Sequence, residues 1–288
     1  IRPGATLLIH CEQGFGDTLQ FVRYLPLIAR QGMRVVVQCP PALKKLIGSV
    51  EGVAAVFGFD EPPPTFDAHC ALLSLPHLFG TTIERIPNNV PYVGVSKEKL
   101  AAWHDHLERH CASPSLTEIR NDPPGNEKRF RVGLVWAGAP RPDEPDSYLI
   151  DRRRSMSFDI MAPLLEFPGI DFYSLQKGET AREAKGKLID LMDEATDFTD
   201  TAALISHLDL VISVDTAVAH LSGALGKPVW LLSRFDGCWR WLLDRNDSPW
   251  YPSMRLFRQR TPGDWAATIA EIEMTLRKTV PANPTERL

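Results

Sequence analysis

Residues 5–30 read ATLLIHCEQGFGDTLQFVRYLPLIAR, and this stretch decides the fold. Ala5–His10 is a strand-like apolar run that breaks at Glu12-Gln13-Gly14-Phe15-Gly16-Asp17. A helical pattern follows from Thr18 to Arg30, with Leu19, Val22, Leu25 and Ile28 at helical spacing. The two glycines let the backbone turn sharply and let another group approach closely. Such a strand, tight loop and helix belong to an α/β sheet, which places ligands at the carboxyl ends of its strands. A dinucleotide fold would want a third small residue after Gly14 and Gly16, whereas this chain has Asp17 and Leu19. The carboxylate would repel a pyrophosphate docked on that helix, so Asp17 is placed for chemistry rather than for cradling phosphate.

Working outward, β-branched runs at Arg34–Gln38 and Val53–Phe57 read as strands, with a further strand at Phe66–Leu72. Short helices fit between them, and Glu98–His110 reads as an amphipathic helix closing the first half. Ser113–Lys128 is rich in Ser, Pro, Asn, Asp and Gly, which is linker chemistry. A second series follows, with strands at Arg131–Trp136, Phe172–Leu175, Leu210–Val214 and Val229–Leu232. Its helices fall at Phe158–Glu166, Thr201–His207 and Thr216–Leu225, and a last helix spans Gly263–Arg277 before a tail expected to be disordered. Short apolar strands alternating with helices predict parallel sheets covered on both faces. The fold class is therefore α/β: two Rossmann-like domains with a cleft between them.

The 288 residues, 44% of them hydrophobic, suffice for two cores. A net charge of −4 gives no electrostatic case for nucleic acid or an anionic membrane. No apolar run reaches the roughly 20 residues that span a bilayer. Cys11, Cys39, Cys70, Cys111 and Cys238 are odd in number and scattered, which reads as reduced thiols and a cytoplasmic location. The first residue is Ile1 rather than Met, the pattern expected of a piece of something longer.

Candidate chemistry gathers at strand ends of the second half. Leu210–Val214 runs into Asp215-Thr216-Ala217-Val218-Ala219-His220, where helix-start amides would make an anion site and Thr216 and His220 share a face. Trp136-Ala137-Gly138 ends another strand with a small-residue turn that would bring backbone amides to a phosphate. Gln176-Lys177-Gly178 ends a third, and Arg154-Ser155 lies between. Each alone is ordinary, but together they gather the cations, hydroxyls and amides that a diphosphate leaving group needs. No D-x-D pair ends a strand to hold a divalent ion there. His106 and His110 have the spacing of a metal pair but lack an identifiable third ligand, so no metal site is expected. Trp239, Trp241, Trp250 and Trp265 are either sugar-stacking platforms or core.

The ordered set resembles a known group. The Glu12–Asp17 loop with Gln20–Tyr24, Gly133–Gly138, Arg154-Ser155, Ser174–Gly178, Asp209–His220, Gly226–Trp230, Trp239–Arg245 and Ser248–Pro252 carry the likeness. They resemble the glycosyltransferase domain found behind tetratricopeptide repeats in bacterial proteins. That domain is similar to the ADP-heptose:lipopolysaccharide heptosyltransferases and more distantly to protein O-GlcNAc transferases.

The resemblance implies a GT-B fold, with an acceptor domain over 1–125 and a nucleotide-sugar domain over 126–262. A helix over 263–280 would cross back to the first domain. It implies Asp17 as catalytic base, and a donor site of Gly16, Trp136, Gly138, Arg154, Ser155, Gln176, Lys177, Asp215, Thr216, Ala217 and His220. Ala217 stands where that group's donor motif has glycine. The implied reaction is inverting, metal-independent sugar transfer to a protein or glycan hydroxyl, with no cofactor and with a tetratricopeptide region preceding this chain. The rivals are a nucleotide-sugar epimerase or hydrolase on the same fold, and a non-catalytic module that binds a nucleotide sugar or a protein partner.

Overall fold

The computed structural model describes residues 2–111 and 129–280; the linker expected at 113–128 and the tail expected at 281–288 lie outside them. The N-terminal lobe runs β1 (Thr6–His10), α1 (Phe15–Phe21), α2 (Leu25–Ala29), β2 (Arg34–Cys39), α3 (Lys44–Ile47), β3 (Val53–Gly58), β4 (Ala68–Ala71) and α4 (Leu75–Leu78). Its strands form one parallel sheet in the order β3-β2-β1-β4, with Leu8 opposite Val36 and Ile9 opposite Val37. α5 (Lys97–Cys111) follows.

The C-terminal lobe runs β5 (Phe130–Val135), α6 (Pro145–Arg154), α7 (Phe158–Met161), β6 (Ile170–Ser174), β7 (Ile189–Asp190) and α8 (Phe198–Ser206). It continues through β8 (Leu210–Val214), α9 (Ala217–Ala224), β9 (Val229–Ser233), β10 (Met254–Arg258) and α10 (Trp265–Thr279). Its six strands are parallel, in the order β10-β9-β8-β5-β6-β7. Counted within the lobe and read from the other edge, this is the 3-2-1-4-5-6 order of doubly wound nucleotide-binding sheets. β6, β8 and β9 are buried along their whole length, as strands covered on both faces must be.

Two expectations about the lobes need correction. The helix expected to close the first half, α5, packs on α8 of the second. Its Trp103 Nε1 and Lys99 Nζ donate to Asp200 Oδ1 at 3.2 and 2.5 Å, and its Leu100 carbonyl meets His207 Nε2 at 2.9 Å. Trp103 and Leu107, four residues apart, form a narrow apolar stripe that needs a neighbour, and α8 supplies it. The chain therefore changes lobes within residues 86–96, where Tyr92 N donates to Ala224 O at 3.1 Å, and not near 125. The last helix does not bridge back either. α10 buries Trp265, Ile269, Ile272 and Leu276, and packs on α7 and β10 of its own lobe. Among the described residues, no helix is long and apolar enough to cross a membrane.

Candidate active site

In each sheet the strand order reverses at one place, between β1 and β4 in the first lobe and between β5 and β8 in the second. α1 follows β1 and α9 follows β8, so each lobe aims the N-terminus of its switch-point helix at the other. The two helix starts touch. A Cβ on Gly16 would lie 2.8 Å from His220 Cδ2 and 3.7 Å from Ala217 Cα, so only glycine allows this approach. Instead of an open gap at this point, the lobes are in contact.

Asp17 sits inside the first turn of α1, which begins at Phe15 rather than at Thr18. Gly14 N donates to Asp17 Oδ2 at 3.1 Å, a capping-box contact that fixes the carboxylate at the helix mouth. Asp17 Oδ1 is taken by Arg240 Nη2 from the opposite lobe. Arg240 is held from three more sides: Nε donates to Gln20 Oε1 at 2.7 Å, Nη1 lies 3.3 Å from Cys238 Sγ, and the guanidinium covers the Trp239 ring at 4.5 Å. Gln20 is fully buried, and its Nε2 has no partner among the described residues. Arg141 also stands close by, with Nη2 3.9 Å from where a Cβ on Gly14 would be.

Beneath this layer a second arginine pins the lobes together. Arg23, 4% exposed, donates to Gln20 O at 2.6 Å, Pro87 O at 3.0 Å, Trp250 O at 2.6 Å and Tyr92 Oη at 2.9 Å. Its guanidinium lies 4.7–5.4 Å from the ring centres of Tyr251, Tyr92 and Trp250. Among the described residues, carbonyls and ring faces spread its charge without a carboxylate.

The residues proposed for phosphate binding at the end of β5 do come together, but much of their hydrogen-bonding capacity is already spent. Gln176 Oε1 accepts from Trp136 N at 3.2 Å and Ala137 N at 3.0 Å, and Ser155 Oγ accepts from Gly138 N at 2.9 Å. These three amides therefore face protein oxygens rather than the cleft. Trp136 itself is wholly buried against Phe158. Arg154 pairs with Asp151 at 2.9 Å and donates through Nη1 to Asp215 O at 2.8 Å, tying the end of α6 to the end of β8. Gly138 makes room for that pair, since a Cβ there would fall 2.0 Å from Asp151 Oδ1. Lys177 is exposed and reaches away to Ala195 O at 2.5 Å.

At the start of α9, Asp215 Oδ2 accepts from Trp241 Nε1 at 3.0 Å. Thr216 is the residue before the helix, but its hydroxyl lies 3.2 Å from Ser213 Oγ and does not cap the helix. The opening amides at Ala217 are thus left without a side-chain cap, which suits an anion. His220 is buried between Trp241 and Tyr251, with Nδ1 2.9 Å from Tyr251 Oη and Nε2 3.8 Å from Asp215 Oδ1. Burial holds it well below its ordinary 6.5, and the charges of Arg240, Arg23 and Arg154 push the same way. It is a neutral ring that supports the helix start.

Sequence reasoning missed Arg240. The stretch Trp239–Arg245 carried part of the resemblance, but only its tryptophans drew attention. Of the four tryptophans considered as platforms, Trp241, Trp250 and Trp265 are core, and Trp239, 59% exposed, alone remains available. The signal that could have found Arg240 is its position directly beside that exposed ring.

The comparisons agree with this architecture. The family model described as glycosyltransferase family 9 (heptosyltransferase) matches residues 178–232, a segment within the second lobe. Protein FlbA of Caulobacter vibrioides is 28% identical over 95% of this chain, which spans 46% of that protein's length. Among solved structures, a glycosyl transferase family 9 protein from Veillonella parvula matches with a TM-score of 0.61 at 8% identity, covering 94% of this chain and 92% of its own. The ADP-heptose lps heptosyltransferase II of E. coli matches at 0.58 and 11% identity, over 95% and 99%. TibC, an iron-containing dodecameric glycosyltransferase of enterotoxigenic E. coli, matches at 0.56 and 10%, over 97% and 78%. The fold is the α/β architecture with parallel sheets that GT-B glycosyltransferases share.

Proposed function

We propose that this chain is an inverting glycosyltransferase domain that moves a hexosyl or heptosyl group from a nucleotide diphosphate sugar to a hydroxyl of a protein or glycan, without a divalent cation. The observation that carries the reading is the contact of the two helix starts at Gly16, one of them carrying Asp17 paired to Arg240 of the opposite lobe and the other left without a side-chain cap. Asp17 takes the proton of the acceptor hydroxyl as its oxygen attacks the anomeric carbon from the face opposite the diphosphate. The bond from that carbon to the phosphate oxygen breaks and leaves its electron pair on the diphosphate. Arg240 and the opening amides of α9 meet the growing charge, and Arg154 braces the strand end beneath them. For this, Arg240 turns from Asp17 Oδ1 to the phosphate and frees the carboxylate to act as base. Gln20 Nε2, buried and without a partner among the described residues, becomes a donor to a sugar or acceptor hydroxyl once Arg240 turns away.

A cytoplasmic location and a preceding tetratricopeptide region belong to this reading; free thiols at all five cysteines are in keeping with the first. The family match over residues 178–232, within the second lobe, supports a nucleotide-sugar donor. The Asp17–Arg240 pair would equally serve a non-catalytic binding module as a fixed clasp.

One set of measurements decides. ADP-, UDP-, GDP- and CMP-sugars are screened by calorimetry, and the tightest is offered with and without acceptor to the native chain and to Asp17→Asn. The reading expects transfer to fall by about 10²–10⁴-fold with donor affinity kept. Turnover without acceptor would mean an epimerase or hydrolase. Tight binding with no transfer by the native chain would mean a module.

A further inference from the structure

We infer that His106, His110 and Glu194 form a site for a zinc-class divalent transition metal, which fastens α5 to the loop between β7 and α8. The two histidines occupy consecutive turns of α5 with ring centres 4.6 Å apart. The sequence offers no third ligand beside them, but the fold brings one from a distant loop. Glu194 Oε2 lies 3.0 Å from His106 Nε2, and one ligand atom from each of the three residues falls within 4.8 Å of the others.

A tetrahedral zinc with bonds of about 2.0–2.2 Å needs ligand atoms roughly 3.3 Å apart, so the cluster is close to the required spacing. His106 Nε2 is buried and has no hydrogen-bond partner among the described residues, although the carboxylate stands 3.0 Å away. A carboxylate this close to a ring nitrogen without a hydrogen bond between them suits an ion shared by both.

The remaining contact is compatible. Arg109 Nη2 lies 3.4 Å from His106 Nδ1, and metal binding at Nε2 puts the proton on Nδ1, so exposed Arg109 would swing off. Two imidazoles and one carboxylate favour zinc, nickel, copper or cobalt over magnesium and leave a fourth position for water. The three residues are none of those converging on Asp17, so this inference stands apart from the proposed reaction. It concerns how α5 is held to its lobe.

The test uses tag-free protein and zinc chloride in competition with a chromophoric chelator of micromolar affinity. We expect one zinc per chain, at least about tenfold weaker binding in His106→Ala/His110→Ala and in Glu194→Gln, and no competition by magnesium. Zinc should raise the melting temperature of the native chain and not of the double variant, and the two should melt alike without metal. Glu194 is half exposed, so its substitution tests the site without disturbing the fold. Failure to outcompete the chelator overturns the proposal. So does unchanged affinity in the variants, which would move the metal to the thiols.

Discussion

Asp17 and Arg240 belong to different lobes, yet they form an ion pair at the point where the two switch-point helices meet. Gly14 N holds the second carboxylate oxygen, and Gln20 Oε1 holds the arginine's Nε. The pair therefore links the proposed base to the proposed leaving-group pocket. Arg240→Ala should lower kcat by about 10²–10³-fold and weaken donor binding, because it removes a donor aimed at developing charge. Arg240→Lys should restore only part of this, since an ammonium cannot hold Gln20 and a phosphate in the arginine's fork geometry. Steady-state kinetics with calorimetric donor titration separate the two effects. Asp17→Asn, by contrast, should lower kcat alone.

Gly16→Ala tests the contact between the lobes. The added methyl would fall 2.8 Å from a histidine ring packed between Trp241 and Tyr251, so the ring cannot easily yield. We expect a loss of about 1–3 kcal/mol in urea unfolding, the usual cost of overpacking. Transfer activity should fall with it as α1 is pushed off its position.

Gln176→Leu tests the strand-end frame. Gln176 is 3% exposed, and its Oε1 serves the amides of both Trp136 and Ala137. A leucine keeps the volume but leaves two buried donors facing methyl groups, at about 1–3 kcal/mol each. A destabilisation of roughly 2–6 kcal/mol by chemical denaturation is expected. If the side chain mattered only through contact with substrate, stability would not change.

The pH dependence of stability follows from His220 and His207, both held below 6.5 chiefly by burial. Folding opposes their protonation, whereas the unfolded chain binds protons once the pH drops below 6.5. Stability is thus full above that value and declines as pH falls below it, by up to about 1.4 kcal/mol per pH unit for buried His220 and by less for half-exposed, solvent-screened His207. Asp200, held below its ordinary 3.8 by Lys99, Thr196 and Trp103 against the opposing effect of burial, adds a separate loss below 3.8. Urea midpoints from pH 8 to 5 should show the histidine decline, and His220→Asn should flatten part of it.

Much of the fold was legible because parallel strands announce themselves as short β-branched runs, and the loop at Gly14–Asp17 stood out by its glycines. Pro145–Arg154 is a helix with only Asp151 buried, and its polar composition, which lacks an apolar stripe, gives no helical signal. Met254–Arg258 escaped notice because exposed Arg255 and half-buried Arg258 interrupt its hydrophobic pattern. The side of the molecule on which α5 packs depends on Trp103 finding Asp200, a contact between residues nearly a hundred positions apart. At the site, residue types were legible but their commitments were not. Nothing local in the sequence says that Gln176 occupies the amides of Trp136 and Ala137, or that Arg240 crosses to Asp17.

The placement of α5 and α10 has a consequence for how such molecules can diversify. Among the described residues the backbone passes between lobes once, within 86–96, so each half is an uninterrupted block of sequence. A cut-and-join there could exchange whole halves between related chains, provided the buried arginine and its aromatic cage are carried over as a matched set. Recognition of one substrate could then drift independently of the other, with the shared boundary as the part that must stay constant.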